Sequence, residues 1–266
     1  MFDFLINLKN SENKFLEVTL VSFFYTSLSI LISLWIFPKY SSLAMVFISV
    51  LPMIYILQRA LKIEEIKEKD YASEEWLLKE HLNKLLLFFF LFLGFVFAFS
   101  LWAFLLSPEK STNVFEIQKE AVMSVNAFTG NSVLSGDFIK ILSNNIKVMS
   151  LALIFAIFYG AGAIFILAWN ASVMGFVIGN LARETFGLLA LPLAFLKYLI
   201  HGIPEMFAYL TAAMAGGILF IAFLKGDLLK KGKTKRIIID VSAMILLSLV
   251  LLVISALIEI YISPLI

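Results

Sequence analysis

The sequence predicts an all-α protein, a polytopic transmembrane helical bundle of about seven spans. Apolar residues make up 61% of the chain and charged residues only 15%, whereas soluble domains have about 45–50% apolar and about 25% charged residues. Several apolar blocks reach the roughly 20 residues that cross a bilayer core. Nothing shows the alternating ten-residue pattern of an outer-membrane barrel.

The composition also restricts which kinds of partner and site are expected. The net charge is only +2, so no nucleic-acid partner is expected, and the lipid bilayer is the first partner. The chain has no cysteine, which excludes disulfides, thiolate metal sites and a cysteine nucleophile. We expect no cofactor.

The first three spans follow from apolar blocks at residues 15–37, 41–58 and 85–106. Between the second and third, residues 59–84 are dense in charge, with Glu–Lys pairs four apart that favour a helix along the membrane surface. Residues 107–144 are polar and predict short amphipathic interfacial helices around 114–128 and 138–142. The expected regions are therefore 1–106 as a three-span region with a charged cytoplasmic helical loop, 107–144 as an extracytoplasmic amphipathic segment, and 145–266 as a C-terminal membrane domain.

The remaining spans are predicted at residues 145–169, 204–224 and 237–262, with a shorter segment at 186–200. Pro192 and Lys197 interrupt that segment. It is short for a crossing, and re-entrant segments have this character. The alternatives are therefore seven spans, or six spans plus a re-entrant segment.

The distribution of Lys and Arg favours seven spans. Residues 59–84 and 225–236 each hold six Lys or Arg, whereas residues 38–40 hold one and residues 107–144 hold three. Cytoplasmic loops carry the excess of basic residues. Both basic loops are cytoplasmic only if segment 186–200 crosses, which places the N-terminus in the cytoplasm and the C-terminus outside.

Two spans carry small residues four apart on one face, a pattern that lets helix backbones approach closely in lipid. They are Ala152, Ala156 and Gly160 in one span and Ala208, Ala212 and Gly216 in the other. The stripes predict close helix packing within the chain, with dimerisation through one stripe as the alternative.

Asparagines bracket the predicted fourth span. Asn144 and Asn145 suit a helix start, where a side-chain oxygen accepts from free backbone N–H groups. Asn170, followed by Gly175, suits a helix end or a helix break. A break within the membrane would resemble the binding sites of transporters.

The pentapeptide His201-Gly202-Ile203-Pro204-Glu205 lies between two apolar segments. Pro204 favours a helix start here, with Glu205 in the first turn. The alternatives are a capped helix start with a hydrogen-bonded histidine, a buried polar site with Lys197 paired to Glu205, or a metal site. The metal site lacks support, because zinc sites need about three protein ligands and His81 is predicted to be on the cytoplasmic side.

Together these residues resemble the stage II sporulation protein M family of integral membrane proteins. The resemblance rests on Asn144-Asn145, Gly160 with Gly162, Asn170 with Gly175, His201-Gly202 followed by Glu205, and Ala215-Gly216. It covers about residues 138–220, and Met206 stands where the family usually has Leu. The resemblance implies a helical membrane protein. The member of the family that acts in sporulation looks like a membrane scaffold for a complex that remodels the cell wall.

Three functions compete at this stage. The first is a non-enzymatic, homo-oligomeric scaffold or complex component with membrane or envelope protein partners. The second is a transporter or channel with a polar site at His201 and Glu205. The third is an intramembrane metalloenzyme.

Overall fold

A computed structural model describes residues 14–68, 74–129, 134–159, 163–185, 187–226, 228 and 231–265. These residues form long α-helices joined by short turns, and they contain no strand. The helices are α1 (Lys14–Ile36), α2 (Ser41–Glu68), α3 (Glu74–Leu105), α4 (Pro108–Val114), α5 (Glu116–Thr129), α6 (Leu134–Tyr159), α7 (Ala163–Glu184), α8 (Leu191–Leu224) and α9 (Lys231–Tyr261).

The helical fold class is confirmed. Six helices in the described part of the chain are long and apolar enough to cross a membrane, namely α1, α3, α6, α7, α8 and α9. The first half of α2 matches the predicted span 41–58. The charged stretch 59–84 is divided between the end of α2 and the start of α3, so its described backbone continues two long helices rather than forming a separate surface helix.

The direction of neighbouring helices supports a crossing by α2. Thr19 and Ser22 of α1 donate hydrogen bonds to the carbonyls of Phe90 and Leu91 of α3, so later residues of α1 meet later residues of α3. Because α1 and α3 run in the same direction, α2 returns the chain across the membrane between them.

The same reasoning applies to α7. Gly175 of α7 faces Phe99 of α3, and Gly179 faces Ala103. α3 and α7 therefore also run in the same direction. In the described part of the chain, six long apolar helices and the first half of α2 are roughly consistent with the predicted count of about seven spans.

The span count is roughly as predicted, but the predicted spans are divided differently from the described helices. The predicted short helix at 138–142 and the start of the predicted span 145–169 lie in α6, which is described to Tyr159, and the end of that span lies in α7, which is described from Ala163. The predicted segments 186–200 and 204–224 are one helix, α8, which includes Pro204. The predicted division between residues 200 and 204 is therefore wrong.

α8 continues through Pro204 for a physical reason. A helix that ended inside the bilayer would leave several backbone groups without partners, whereas a proline removes one N–H donor. With 34 residues, α8 is about 50 Å long at 1.5 Å per residue, well beyond the roughly 30 Å of the hydrocarbon core. Segment 186–200 is therefore neither an independent span nor a re-entrant segment.

The chain forms two compact units that interleave in sequence. Unit 1 contains residues 1–120 and 168–184, and unit 2 contains residues 121–167 and 185–266, each as far as it is described. Most of α7 groups with α1–α3.

The core of unit 1 is built around α3. Residues Phe92, Phe95 and Phe99 of α3 are fully buried. Gly94 lets α1 approach α3 closely, since a Cβ at this position would overlap the Thr19 carbonyl oxygen. Phe115, between α4 and α5, stacks on Phe176 of α7 at 5.6 Å between ring centroids. The start of the polar segment 107–144 is therefore packed into unit 1.

Unit 2 consists mainly of α6, α8 and α9. α8 lies between the other two and packs on both, while α6 also contacts α9. The short turn Ser263–Leu265 after α9 folds back against α8 and α9. This arrangement places the middle of α8, which carries the His201–Glu205 motif, at the centre of unit 2.

Candidate functional site

Among the described residues of unit 2, a set of polar side chains lies between α8 and α9. On α8 the polar residues recur every three or four positions, so they share one helical face. We call this set the polar strip: Tyr198, His201, Glu205 and Tyr209 of α8, with Ser255, Glu259 and Ser263 from α9 and the turn that follows it.

His201 fastens α8 to the C-terminal turn. Its side chain is 9% exposed, and its Nδ1 lies 2.9 Å from the hydroxyl oxygen of Ser263. The Ser255 hydroxyl donates to the His201 carbonyl at 2.8 Å, and the ring of Tyr198 meets the imidazole edge-on at 6.1 Å. These contacts join three elements at one histidine, next to the backbone position that Pro204 disturbs.

Glu205 has a partner on its own helix. The hydroxyl of Tyr209, one turn later, donates to Glu205 Oε1 at 2.5 Å. Glu259 of α9 is close enough to interact electrostatically with Glu205 and Tyr209. The polar strip therefore holds two carboxyl groups inside segments long and apolar enough to span the membrane.

The structure corrects the interpretation of the pentapeptide. His201 and Glu205 lie in the interior of α8, so the predicted helix start at Pro204 is wrong, and the two residues share a helical face. Lys197 forms no ion pair with Glu205 among the described residues, where Tyr209 is the partner instead. Gly202 is buried within the same helix. In the described part of the chain, no three His, Asp or Glu side chains come together as metal ligands would.

The small-residue stripes lie where α6 meets α8. Ala152 and Ala156 are 1% exposed, and Ala208 and Ala212 are fully buried. A Cβ on Gly216 would lie 2.5 Å from the Leu153 carbonyl oxygen and 2.9 Å from the Ala156 Cβ. Close approach of α6 and α8 within unit 2 therefore uses Gly216. Gly160, the third residue of the first stripe, lies outside the described residues.

The predicted cap and break residues have other positions. Asn144 and Asn145 lie inside α6, and Asn170 and Gly175 lie inside α7, so none of the four begins, ends or breaks a described helix. Asn145 is 5% exposed. Gly175 allows close contact instead, since a Cβ there would lie 2.5 Å from the Phe99 Cβ.

Two polar features of unit 1 were missed from the sequence. The first is a ladder of buried hydroxyls along α1, spaced by three or four residues, a periodicity visible in the sequence: Thr19, Ser22, Thr26, Ser29 and Ser33. The second is Gln118, fully buried at the start of α5.

Gln118 joins three elements. Its Oε1 accepts from the Ser42 hydroxyl of α2 at 2.5 Å. Its Nε2 donates to the Ser42 carbonyl and to the Ser172 hydroxyl of α7, each at 3.1 Å. Sequence spacing gives no signal for contacts between residues 76 and 54 positions apart.

Comparison with known proteins gives one family. Residues 85–264 match the model of the family described as stage II sporulation protein M. A protein of Methanocaldococcus jannaschii, described only as uncharacterised, is 34% identical over 132 residues, which are 48% of this chain and 71% of the relative. No solved structure matches the chain. The family match begins at α3 and contains all of the polar strip.

Proposed function

This chain belongs to the stage II sporulation protein M family, and we propose that it acts as a non-enzymatic, homo-oligomeric scaffold within a membrane protein assembly. By the excess of Lys and Arg in residues 225–236, its N-terminus lies in the cytoplasm and its C-terminus outside. The scaffold holds partner membrane or envelope proteins by presenting a rigid surface within the bilayer.

The observation that carries this proposal is the set of hydrogen bonds that the polar strip makes within the protein. His201 bonds to Ser263, the His201 carbonyl accepts from Ser255, and Glu205 accepts from Tyr209. Two of these bonds connect α8 to α9 or to the C-terminal turn, so the family motif serves to hold unit 2 together. Interhelical hydrogen bonds and small-residue packing stabilise helix pairs in lipid, where the hydrophobic effect does not.

Self-association requires a surface that the fold leaves open. The stripe containing Gly216 is occupied by α6 within the same chain, so it does not serve as the contact between copies. α9 has the smallest buried share of the candidate spans, 17%. Its outward side carries large exposed apolar residues: Leu246, Leu247, Val250, Val253, Ile254 and Leu257. We place the contact between copies on this side of α9.

Cysteine cross-linking in native membranes tests this placement, because the chain has no cysteine of its own. A single cysteine replacing Val250 should form a disulfide-linked dimer on mild oxidation. A cysteine replacing Leu31, an exposed residue of α1, is the matched control and should remain monomeric. A protein that is monomeric by native mass spectrometry from lipid nanodiscs, with no cross-link along α9, would contradict the scaffold proposal.

A second candidate function is transport, and one observation favours it. Glu205 and Glu259 are carboxyl groups within apolar spans, and ionisable residues in such positions often lie on ion or proton pathways. Reconstituted liposomes under a pH gradient test this candidate. Proton flux that the parent shows and Glu205→Gln abolishes would favour transport over a scaffold, while equal flux in the parent, the variant and empty liposomes would remove it.

A further inference from the structure

One buried side chain of unit 2 has a polar atom that no described residue satisfies. Asn145 of α6 is 5% exposed, and its Nδ2 has no hydrogen-bond acceptor among the residues that the structure describes. A buried donor without an acceptor costs free energy, and in native proteins such a donor is a sign of a bound water or ligand. The residues that face Asn145 from the neighbouring helices therefore indicate what it binds.

The buried face of α6 extends well before the point where α6 meets α8. Its buried residues recur every three or four positions and so share one face: Asn145, Met149, Ala152 and Ala156. Ala156 is at the contact, since a Cβ on Gly216 of α8 would lie 2.9 Å from the Ala156 Cβ. The other three precede the contact, so a neighbouring helix must cover them on that side of it.

The part of α8 that precedes Gly216 provides this cover. Ala208 and Ala212, within that part, are fully buried. After Gly216, Phe223 near the end of α8 is 73% exposed, and residues 235–236 at the start of α9 are exposed as well. In opposite directions, the buried face of α6 would lie beside these exposed residues. Because each helix buries the residues that come before the contact, α6 and α8 run in the same direction.

The shared direction places Asn145 beside the polar strip. Asn145 precedes Ala156 by as many positions as Glu205 precedes Gly216, a distance of about 16 Å along each helix. The interval is also close to three full turns, so each residue lies on nearly the same face as the contact residue that follows it. Asn145 and Glu205 therefore lie at the same depth on the facing sides of α6 and α8.

Water is the occupant that fits this set of groups. The amide N–H of Asn145 donates, and the carboxyl oxygens of Glu205 accept, so a water molecule that accepts from the first and donates to the second satisfies both. Glu259 of α9 interacts electrostatically with Glu205, and two carboxyl groups disfavour an anion at this place. An N–H donor is not a metal ligand.

We propose that Asn145 and Glu205 hold a buried water molecule where α6 meets the polar strip. Buried waters typically make about three hydrogen bonds to protein groups that lack other partners, and Glu259 is the nearest further carboxyl group. The site extends the polar strip from two helices to three, because it adds α6 to α8 and α9. It does not depend on whether copies of the chain associate.

Radiolytic labelling of the full chain in lipid nanodiscs tests the proposal. X-rays split bound water into hydroxyl radicals, which modify only the side chains beside the place where they form, and mass spectrometry then locates the modification. Tyr209 is the reporter, because it is 1% exposed and its hydroxyl donates to Glu205. Phe92 of α3, which is fully buried, is the reference for an aromatic ring away from water.

We expect labelling of Tyr209 well above that of Phe92 in the parent. Asn145→Leu should reduce it to the level of Phe92, whereas Asn145→Ser, which keeps a donor, should preserve it. Asn144→Leu, at an exposed position one residue earlier, is the matched control and should label like the parent. Tyr209 labelled no more than Phe92 in the parent would overturn the proposal, and this comparison needs no variant. Undiminished labelling in a folded Asn145→Leu variant would overturn it as well.

Discussion

Gly216 gives the sharpest test of the packing in unit 2, because its neighbour Gly217 is a control on the same helix. A Cβ on Gly216 would lie 2.5 Å from the Leu153 carbonyl oxygen, whereas a Cβ on Gly217 would meet nothing within 4 Å. Gly216→Ala therefore forces α6 and α8 apart by about 1 Å to restore ordinary contact, whereas Gly217→Ala requires no movement.

The magnitude follows from two opposing effects. Ala is favoured over Gly in a helix interior by about 1 kcal/mol, and both variants gain this amount. Overpacking against a rigid neighbour costs about 1–3 kcal/mol, and only Gly216→Ala bears that cost. The difference between the two variants isolates the steric cost, and at about 2–4 °C per kcal/mol it corresponds to roughly 2–12 °C in Tm.

The assay is a thermal-shift measurement of the parent and the two purified variants, all in the same detergent. We expect Gly217→Ala to melt at or above the parent and Gly216→Ala to melt below Gly217→Ala by the stated interval. If the two variants melt together, α6 and α8 do not approach as closely as Gly216 requires, and the packing argument for unit 2 is wrong.

Three further predictions address other parts of the chain. Gln118→Ala should destabilise by about 1–3 kcal/mol, since it removes three hydrogen bonds of a buried side chain and takes away the acceptor of the buried Ser42 hydroxyl; an unchanged denaturation midpoint would contradict this. Glu205→Gln should lower the free energy of unfolding by no more than about 1.5 kcal/mol, because an amide oxygen still accepts a hydrogen bond. Its effect should add to that of Lys197→Met. A coupling energy above about 0.5 kcal/mol between the two substitutions would indicate an ion pair between Lys197 and Glu205. A cysteine replacing Lys110 should react with an impermeant thiol reagent outside intact cells and one replacing Lys235 should not; the reverse would invert the orientation.

The sequence predicts the membrane segments better than the places where they are divided. Apolar length marks a span because crossing the bilayer core takes about 20 apolar residues, and this located α1, α3 and α9 closely. Pro204 and Asn144 were interpreted as helix boundaries by rules that hold in water. Inside a bilayer a helix end leaves backbone groups without water, so α8 continues through Pro204 and α6 through Asn144.

The candidate site was predicted in part. The sequence singled out His201 and Glu205, because ionisable residues between apolar segments are costly. It did not identify Tyr209, Ser255 or Ser263 as their partners, since the register between α8 and α9 is set by packing along their whole length. The sequence did contain one signal for Tyr209. Polar residues four apart on α8 continue from His201 and Glu205 to Tyr209.

The contacts between α3 and α7 have a consequence for biosynthesis. α3 is complete at Leu105, but the helix that fits its surface at Phe99 and Ala103 ends at Glu184, about 80 residues later. At roughly 5–20 residues per second, the ribosome takes about 4–16 s to supply it. During that interval the surface of α3 that receives Gly175 faces lipid or the insertion machinery. A chain truncated before α7 would therefore remain incomplete in its N-terminal unit, and it offers membrane quality-control proteases an unfilled helix face to recognise.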